Sequence, residues 1–416
     1  MTSLETAHGS VGGWLHRMKP WHLLAGYVLT CCLVQGLWIS LDNAIGPPPD
    51  SEQHLLLCQL YARALSLGGP GAVWDAMHHH PVQWPPLAHM LLGMLSALAG
   101  PEPGTVRLLN LICAPLLTAG VYCLGAAMGG RLAGTLAALI TLLSLGVMGQ
   151  LRQVSPDLFA AVTVTWSLWA LHRSRGFSRT APTLLFGALV GISIMTRVQA
   201  LFFLFGPSLL AIISAMRRGE GLRGRAARLG RMFAGLALLL GVSSFWWASR
   251  LQPLWALARD HVGDSEETPP AWGDPTFWGG MLEFVGDFGR LTAWLTLAAA
   301  LLTLPLLLRR RLPAAAMLLC WVGGGMLFYA LTISRHEHYM LPALPGVALM
   351  AALGVEQLPA RIRRPAGAAL LLWGGLTVFL VAGLGVEQRD AIEELVQDGV
   401  VPYAYVRLKD QEAFGV

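Results

Sequence analysis

Three kinds of side chain able to do chemistry stand at the edges of apolar runs in this chain. Carboxylates are the first: Asp50 and Glu52 follow the turn Pro47-Pro48-Pro49, and Asp157 follows Pro156. A carboxylate held still beside an apolar surface can take a proton from a hydroxyl as a general base. Cations are the second: Arg152, Arg197 and Arg335 each stand at such an edge. A guanidinium offers a planar fork that matches phosphate. His338 and Tyr339 come just after Arg335 and could add hydrogen bonds. The third kind is the run His78-His79-His80, which could bind a divalent cation or simply coat a wet loop. Each candidate also has a plain structural role. Asp50 and Asp157 are placed to cap helices, and arginines near helix ends commonly snorkel to the interface.

The elements that must position these residues are membrane spans. Hydrophobic residues make up 55% of the chain, charged residues 13%, and mean hydropathy is +0.55. A soluble protein would lack polar surface at that balance. The apolar runs approach the roughly 20 residues a spanning helix needs, and no period-2 pattern suggests a barrel. Eleven runs are read as spans: 21–41, 106–128, 132–148, 158–171, 184–196, 198–215, 232–248, 291–308, 314–333, 341–354 and 366–386.

The loops between them alternate in charge. One set holds 18 of the 29 basic residues, in clusters at 173–179, 217–231, 309–311 and 361–364 among others, with only Glu5, Glu220 and Glu356 as acids. The other set holds the remaining 21 carboxylates and 11 basic residues. This is the positive-inside pattern. It puts the N-terminus in the cytoplasm, the C-terminus outside, and every candidate above in the outer compartment. The run 85–99 is short, and a crossing there would move Arg131 and all later basic clusters to the other side. It is therefore read as an interfacial helix, as is the amphipathic stretch 51–67. The expected architecture is all-α and polytopic, with a transmembrane domain over 1–386. Its first outer loop is 42–105, a second large outer loop is 249–290, and a short outer tail covers 387–416.

Several classes are disfavoured. The six cysteines form no framework, no metal centre is expected from them, and Cys58 has no obvious outer partner. No cofactor is expected with certainty, a divalent cation being the one candidate. Basic and aromatic residues do not interleave as nucleic-acid contacts would. The run 21–40 reads as a retained first span, not a cleaved signal peptide. No internal repeat supports an inverted-repeat transporter.

An Asp after the first span, an amphipathic helix from Asp50 to Arg63, and Trp84-Pro85-Pro86-Leu87 opening an apolar helix resemble membrane glycosyltransferases of the GT-C class. The closest subgroup holds protein O-mannosyltransferases and lipid A aminoarabinose transferases, glycosyltransferase family 39. Three later stretches agree in order: Ser155-Pro156-Asp157, the Gly-rich run from Gly187 to Arg197, and Ser334-Arg335-His336-Glu337-His338-Tyr339-Met340-Leu341-Pro342. The chain departs from the pattern in carrying Asp50-Ser51-Glu52 where the family often has adjacent acids, and in its short tail.

The resemblance implies a GT-C fold and inverting transfer of a sugar from a polyprenyl-phosphate donor to a lipid, glycan or protein acceptor. It implies Asp50 as general base, with Asp42 the next candidate, and Glu52 and Asp157 as further catalytic acids. Arg197 and Arg335 would converge on the leaving phosphate, helped by His338, Tyr339 and Arg152. The acidic, aromatic loop 249–290 is a candidate acceptor lid. The competing readings are a lipid or solute transporter or flippase, and a non-catalytic transferase-like subunit. The near absence of charge inside the spans favours chemistry at the interface over transport.

Overall fold

A computed structural model describes residues 20–41, 49–81, 84–100, 102–217, 221–248, 250, 286, 288–289, 292, 294–331 and 337–383. Among these residues every regular element is helical. Helices stand at all eleven apolar runs, and two more fill the first loop. Four helical stretches (Pro103–Gly129, Ala200–Arg217, Leu222–Trp247 and His338–Glu356) are long and apolar enough to cross a bilayer among the described residues. The run at 132–148 is a pair, Arg131–Leu142 (α6) and Leu145–Leu151 (α7), bent by 60°. Large apolar side chains such as Leu302, Leu372 and Phe205 are at least 70% exposed. The protein is an integral membrane protein, and lipid accounts for that exposure.

Two helices form the centre. In α14 (Leu344–Glu356) every residue from Leu344 to Val355 is buried. A helix that is apolar all round has no face to give to the exterior, and α14 packs against α5 (Cys113–Gly129), α6, α12 (Leu295–Arg310) and α13 (Leu312–Leu331). The second is α8 (Pro156–Ser174), which packs on α5, on α9 (Thr180–Thr196), on α10 (Ala200–Arg217) and on a 3-10 turn, Glu337–Ala343. The indole N–H of Trp321 on α13 donates to the carbonyl of Pro342 at 2.9 Å and pins that turn. Two further long helices are α1 (Pro20–Leu41) and α15 (Ala360–Gly383).

Close helix crossings set the site. A Cβ on Gly191 of α9 would meet the carbonyl of Leu239 and the side chain of Val242, both at 2.9 Å, on α11 (Leu222–Trp247). Gly187, one turn earlier, is tighter still against the backbone of Gly235. The Gly-rich run is thus a packing device that seats α9 on α11 and so places Arg197, just past the end of α9. In the first loop, α2 (Pro49–His78) and α3 (Leu87–Ala99) pack together, with Gly93 pressed onto Cys58 and Tyr61. Gly69, at φ 66°, breaks α2 ahead of Pro70, a backbone state that glycine adopts without strain. Helix α3 touches α8 and α9, which ties the first loop to the end of the bundle where Asp157 and Arg197 lie.

Candidate active site

Asp157 and Arg197 are 40 positions apart in sequence and meet as a two-pronged ion pair. Arg197 Nε donates to Asp157 Oδ1 at 2.7 Å, and Nη2 donates to Oδ2 at 2.9 Å. Both residues are buried. A buried charge survives only when paired and hydrogen-bonded, so each partner requires the other. Ser155 caps α8: its hydroxyl accepts from the backbone N–H of Asp157 and donates to the Asp157 carboxylate, both at 3.1 Å. The cap expected of Asp157 is therefore supplied by Ser155, because extended backbone at Ser155 leaves its side chain facing the first turn. This frees the carboxylate for Arg197.

The 3-10 turn closes one side of the pair. The Arg197 guanidinium lies 4.9 Å from the centre of the Tyr339 ring, and His338 packs edge-on against that ring at 4.5 Å. A guanidinium over an aromatic face is held by the ring quadrupole as well as by its carboxylate. Sequence order thus brings Asp157, Arg197, His338 and Tyr339 into one cluster. Arg152 has a partner on α1. Its Nε donates to Gln35 Oε1 of α1 at 2.7 Å, and Gln35 in turn reaches Met148, so Arg152 clamps α1 to α7. Asp50 and Glu52 lie in the first turn of α2, which begins at Pro49, so Asp50 is inside the helix and not ahead of it as its cap. The side chains of Asp50 and Glu52, all of Asp42 and Arg335, and the loop 251–285 lie outside the described residues.

A histidine cluster that sequence reasoning missed fills the first loop. His54 Nδ1 and His89 Nε2 are 2.9 Å apart, a hydrogen bond whose donor is set by the tautomers of the two rings. Trp84 packs edge-on to His54 at 5.0 Å. The Tyr61 hydroxyl and His80 Nδ1 are 3.0 Å apart, and the rings of His80 and His89 are 5.1 Å apart. The histidine run therefore divides. His78 and His79 are exposed and bond carbonyls of their own helix, while His80 turns inward. Burial, reinforced by repulsion from Arg250, pushes the His80 pKa down to about 4, so it is neutral at pH 7. Among the described residues no group of three or more His, Cys, Asp and Glu is arranged to hold a metal ion. A usable signal did exist in the sequence. His54, Cys58 and Tyr61 follow the spacing of one helix face, and all three are buried.

Residues 80–247 match the family model described as dolichyl-phosphate-mannose-protein mannosyltransferase. ArnT from Cupriavidus metallidurans is similar in structure. In its form bound to undecaprenyl phosphate the TM-score is 0.61 at 16% identity, over 96% of this chain and 75% of that one. Its apo form gives 0.57 at 15% identity, over 93% and 75%. The apo oligosaccharyltransferase of Archaeoglobus fulgidus gives 0.50 at 12% identity, over 91% of this chain and 60% of that one. No curated protein matches the chain.

Proposed function

We propose that this chain is a GT-C membrane glycosyltransferase that moves a sugar from a polyprenyl-phosphate carrier to an acceptor hydroxyl at the outer face of the membrane. The similarity to ArnT in complex with undecaprenyl phosphate supports a carrier of that kind. The observation that carries the reading is the buried Asp157–Arg197 pair, stacked on Tyr339 at one end of the bundle.

Transfer from a lipid phosphate needs two things. The acceptor hydroxyl must lose its proton as oxygen attacks the anomeric carbon, and the glycosyl–phosphate bond must break with negative charge growing on the leaving phosphate. Asp50, in the first turn of α2, is the proposed base, with Glu52 one turn position away. Asp157 is a positioning residue. It takes two of the five N–H bonds of the Arg197 guanidinium and so fixes its plane. The fixed guanidinium costs no reorganisation when phosphate charge develops. The pair is nearly neutral as a unit, so further positive charge must reach the phosphate. Arg335 and His338, from the stretch that supplies Tyr339, are the proposed source. The acceptor is a lipid, a glycan or a protein, and the acidic loop 249–290 is its proposed cover.

The test uses the full-length chain in detergent with a polyprenyl-phosphate sugar and an extract of envelope lipids and glycans. Release of polyprenyl phosphate coupled to acceptor labelling is the expected result, and Asp50→Asn should abolish it while the protein elutes as before, because Asn is also tolerated at a helix start. Full activity of Asp50→Asn would remove Asp50 from the mechanism and move the search to Asp42.

A further inference from the structure

The end of α9 away from Arg197 carries a second site. A cavity of about 800 Å³ lies between α9, α10, α11 and α13. Its wall includes Phe186, Val190, Phe205, Phe233 and Leu236, and it is almost entirely apolar. It opens sideways, since Phe205 is 70% and Phe233 67% exposed. At one end it is bounded by Phe177, Thr183 and Leu229. That end is rimmed with cations. Arg231 Nη1 donates to the carbonyl of Phe177 at 3.3 Å, and Arg228 Nη1 donates to that of Ala215 at 2.9 Å. Arg179 precedes α9 at the same rim, and Arg175 and Arg217 lie nearby in the chain, both exposed. From 173 to 231 the sequence has one acid, Glu220. An apolar groove that opens to the bilayer and ends in a ring of arginines has the charge and shape of a phospholipid's complement.

We propose that this groove binds one anionic glycerophospholipid, with its phosphate on Arg179 and Arg231 and its acyl chains along Phe186, Val190, Phe205 and Phe233. The site is separate from the donor site. Helix α9 has 17 residues, so the arginine rim stands roughly 25 Å along its axis from Arg197. One phosphate cannot serve both. A phosphate at the rim belongs to the leaflet that the positive-inside pattern makes cytoplasmic, where anionic lipids attract basic clusters.

Native mass spectrometry of the full-length chain in detergent tests this, with phosphatidylglycerol, phosphatidylcholine or polyprenyl phosphate added separately. One phosphatidylglycerol per chain should be retained roughly thirtyfold better than phosphatidylcholine. Changing Arg179→Ala and Arg231→Ala together should cut that retention by roughly thirtyfold, to the phosphatidylcholine level. Ile212→Trp, which fills the groove, should weaken both phospholipids. If Ile212→Trp fails to fold, Arg231→Glu alone should still abolish the preference for phosphatidylglycerol. Equal retention of the two phospholipids, or no effect of the arginine changes, overturns the proposal. Displacement of phosphatidylglycerol by polyprenyl phosphate also overturns it, by assigning the groove to the donor's tail.

Discussion

Arginine stands at both ends of α9, yet the structure treats the two ends differently. At one end Arg197 is buried, locked to Asp157 by two hydrogen bonds and stacked on Tyr339. At the other, Arg228 and Arg231 donate to backbone carbonyls, and Arg175 and Arg217 are exposed. The paired arginine is a fixed part whose charge is already balanced. The stretch 173–231 that supplies the rim has one acid in its sequence, Glu220, so the rim acts as a positive field. The sequence shows an arginine at each end; the carboxylate partner is what marks Arg197 as a positioned fork.

Breaking the pair should give the largest effect. Asp157→Ala leaves Arg197 buried without its carboxylate, and loss of about 3–5 kcal/mol of stability is expected. Denaturant titration in detergent reads this directly, and Arg197→Met placed on the Asp157→Ala background should recover part of it. A double variant no more stable than the single one would show that the pair is not the unit argued for here.

Acid should next separate the two ends. His80 is neutral and buried, with its pKa lowered to about 4 against an ordinary value of 6.5. A histidine with a depressed folded pKa takes up protons on unfolding, so its contribution is complete above about pH 6.5 and is lost as pH falls toward 4. The total is about 3 kcal/mol at most. Hydrogen exchange at pH 4.5 against pH 7 should show faster opening of α2 and α3 with α10 and α12 little changed. His80→Gln should reduce that difference in part, since burial also holds the His89 pKa well below its ordinary value. Uniform loosening of both regions would assign the acid response elsewhere.

A smaller effect is expected from the crossing that seats Arg197. Gly191→Val forces α9 off Leu239 and Val242, at a cost of about 1–3 kcal/mol, and it should lower transfer activity more than it lowers stability, because the guanidinium moves with the helix end. Activity that falls only in proportion to folded protein would make Gly191 a packing residue and nothing more. The smallest change belongs to Arg223→Ala, on the exposed face of α11. Stability should stay within about 0.5 kcal/mol, as for surface positions without partners.

The helices were largely legible because lipid selects long apolar runs; all eleven runs carry helices, and among the described residues four stretches are long and apolar enough to cross a bilayer. The bend of 60° between α6 and α7 was not, since Leu143-Ser144 has no proline or glycine to announce it. The Asp157–Arg197 pair was half legible. Both residues were visible at span edges, but the contact spans 40 positions and depends on how Gly187 and Gly191 let α9 approach α11. For that reason the sequence suggested separate roles, an acid and a phosphate clamp, where the structure joins the two. His54 and His89 were hidden for the same cause. Each is one polar residue on an apolar face, and only the packing of α2 on α3 brings their ring nitrogens to 2.9 Å.

Binding of a polyprenyl phosphate to the purified chain tests the central claim most directly, by comparing the two ends of α9 in one assay. Arg197→Ala combined with Arg335→Ala should weaken binding by roughly thirtyfold or more, since hydrogen bonds to a charged group contribute about 1.5–3 kcal/mol each. Arg179→Ala combined with Arg231→Ala should leave it unchanged. Unchanged binding in the first pair, or loss in the second, would contradict the account and place the carrier phosphate at the wrong end of the helix.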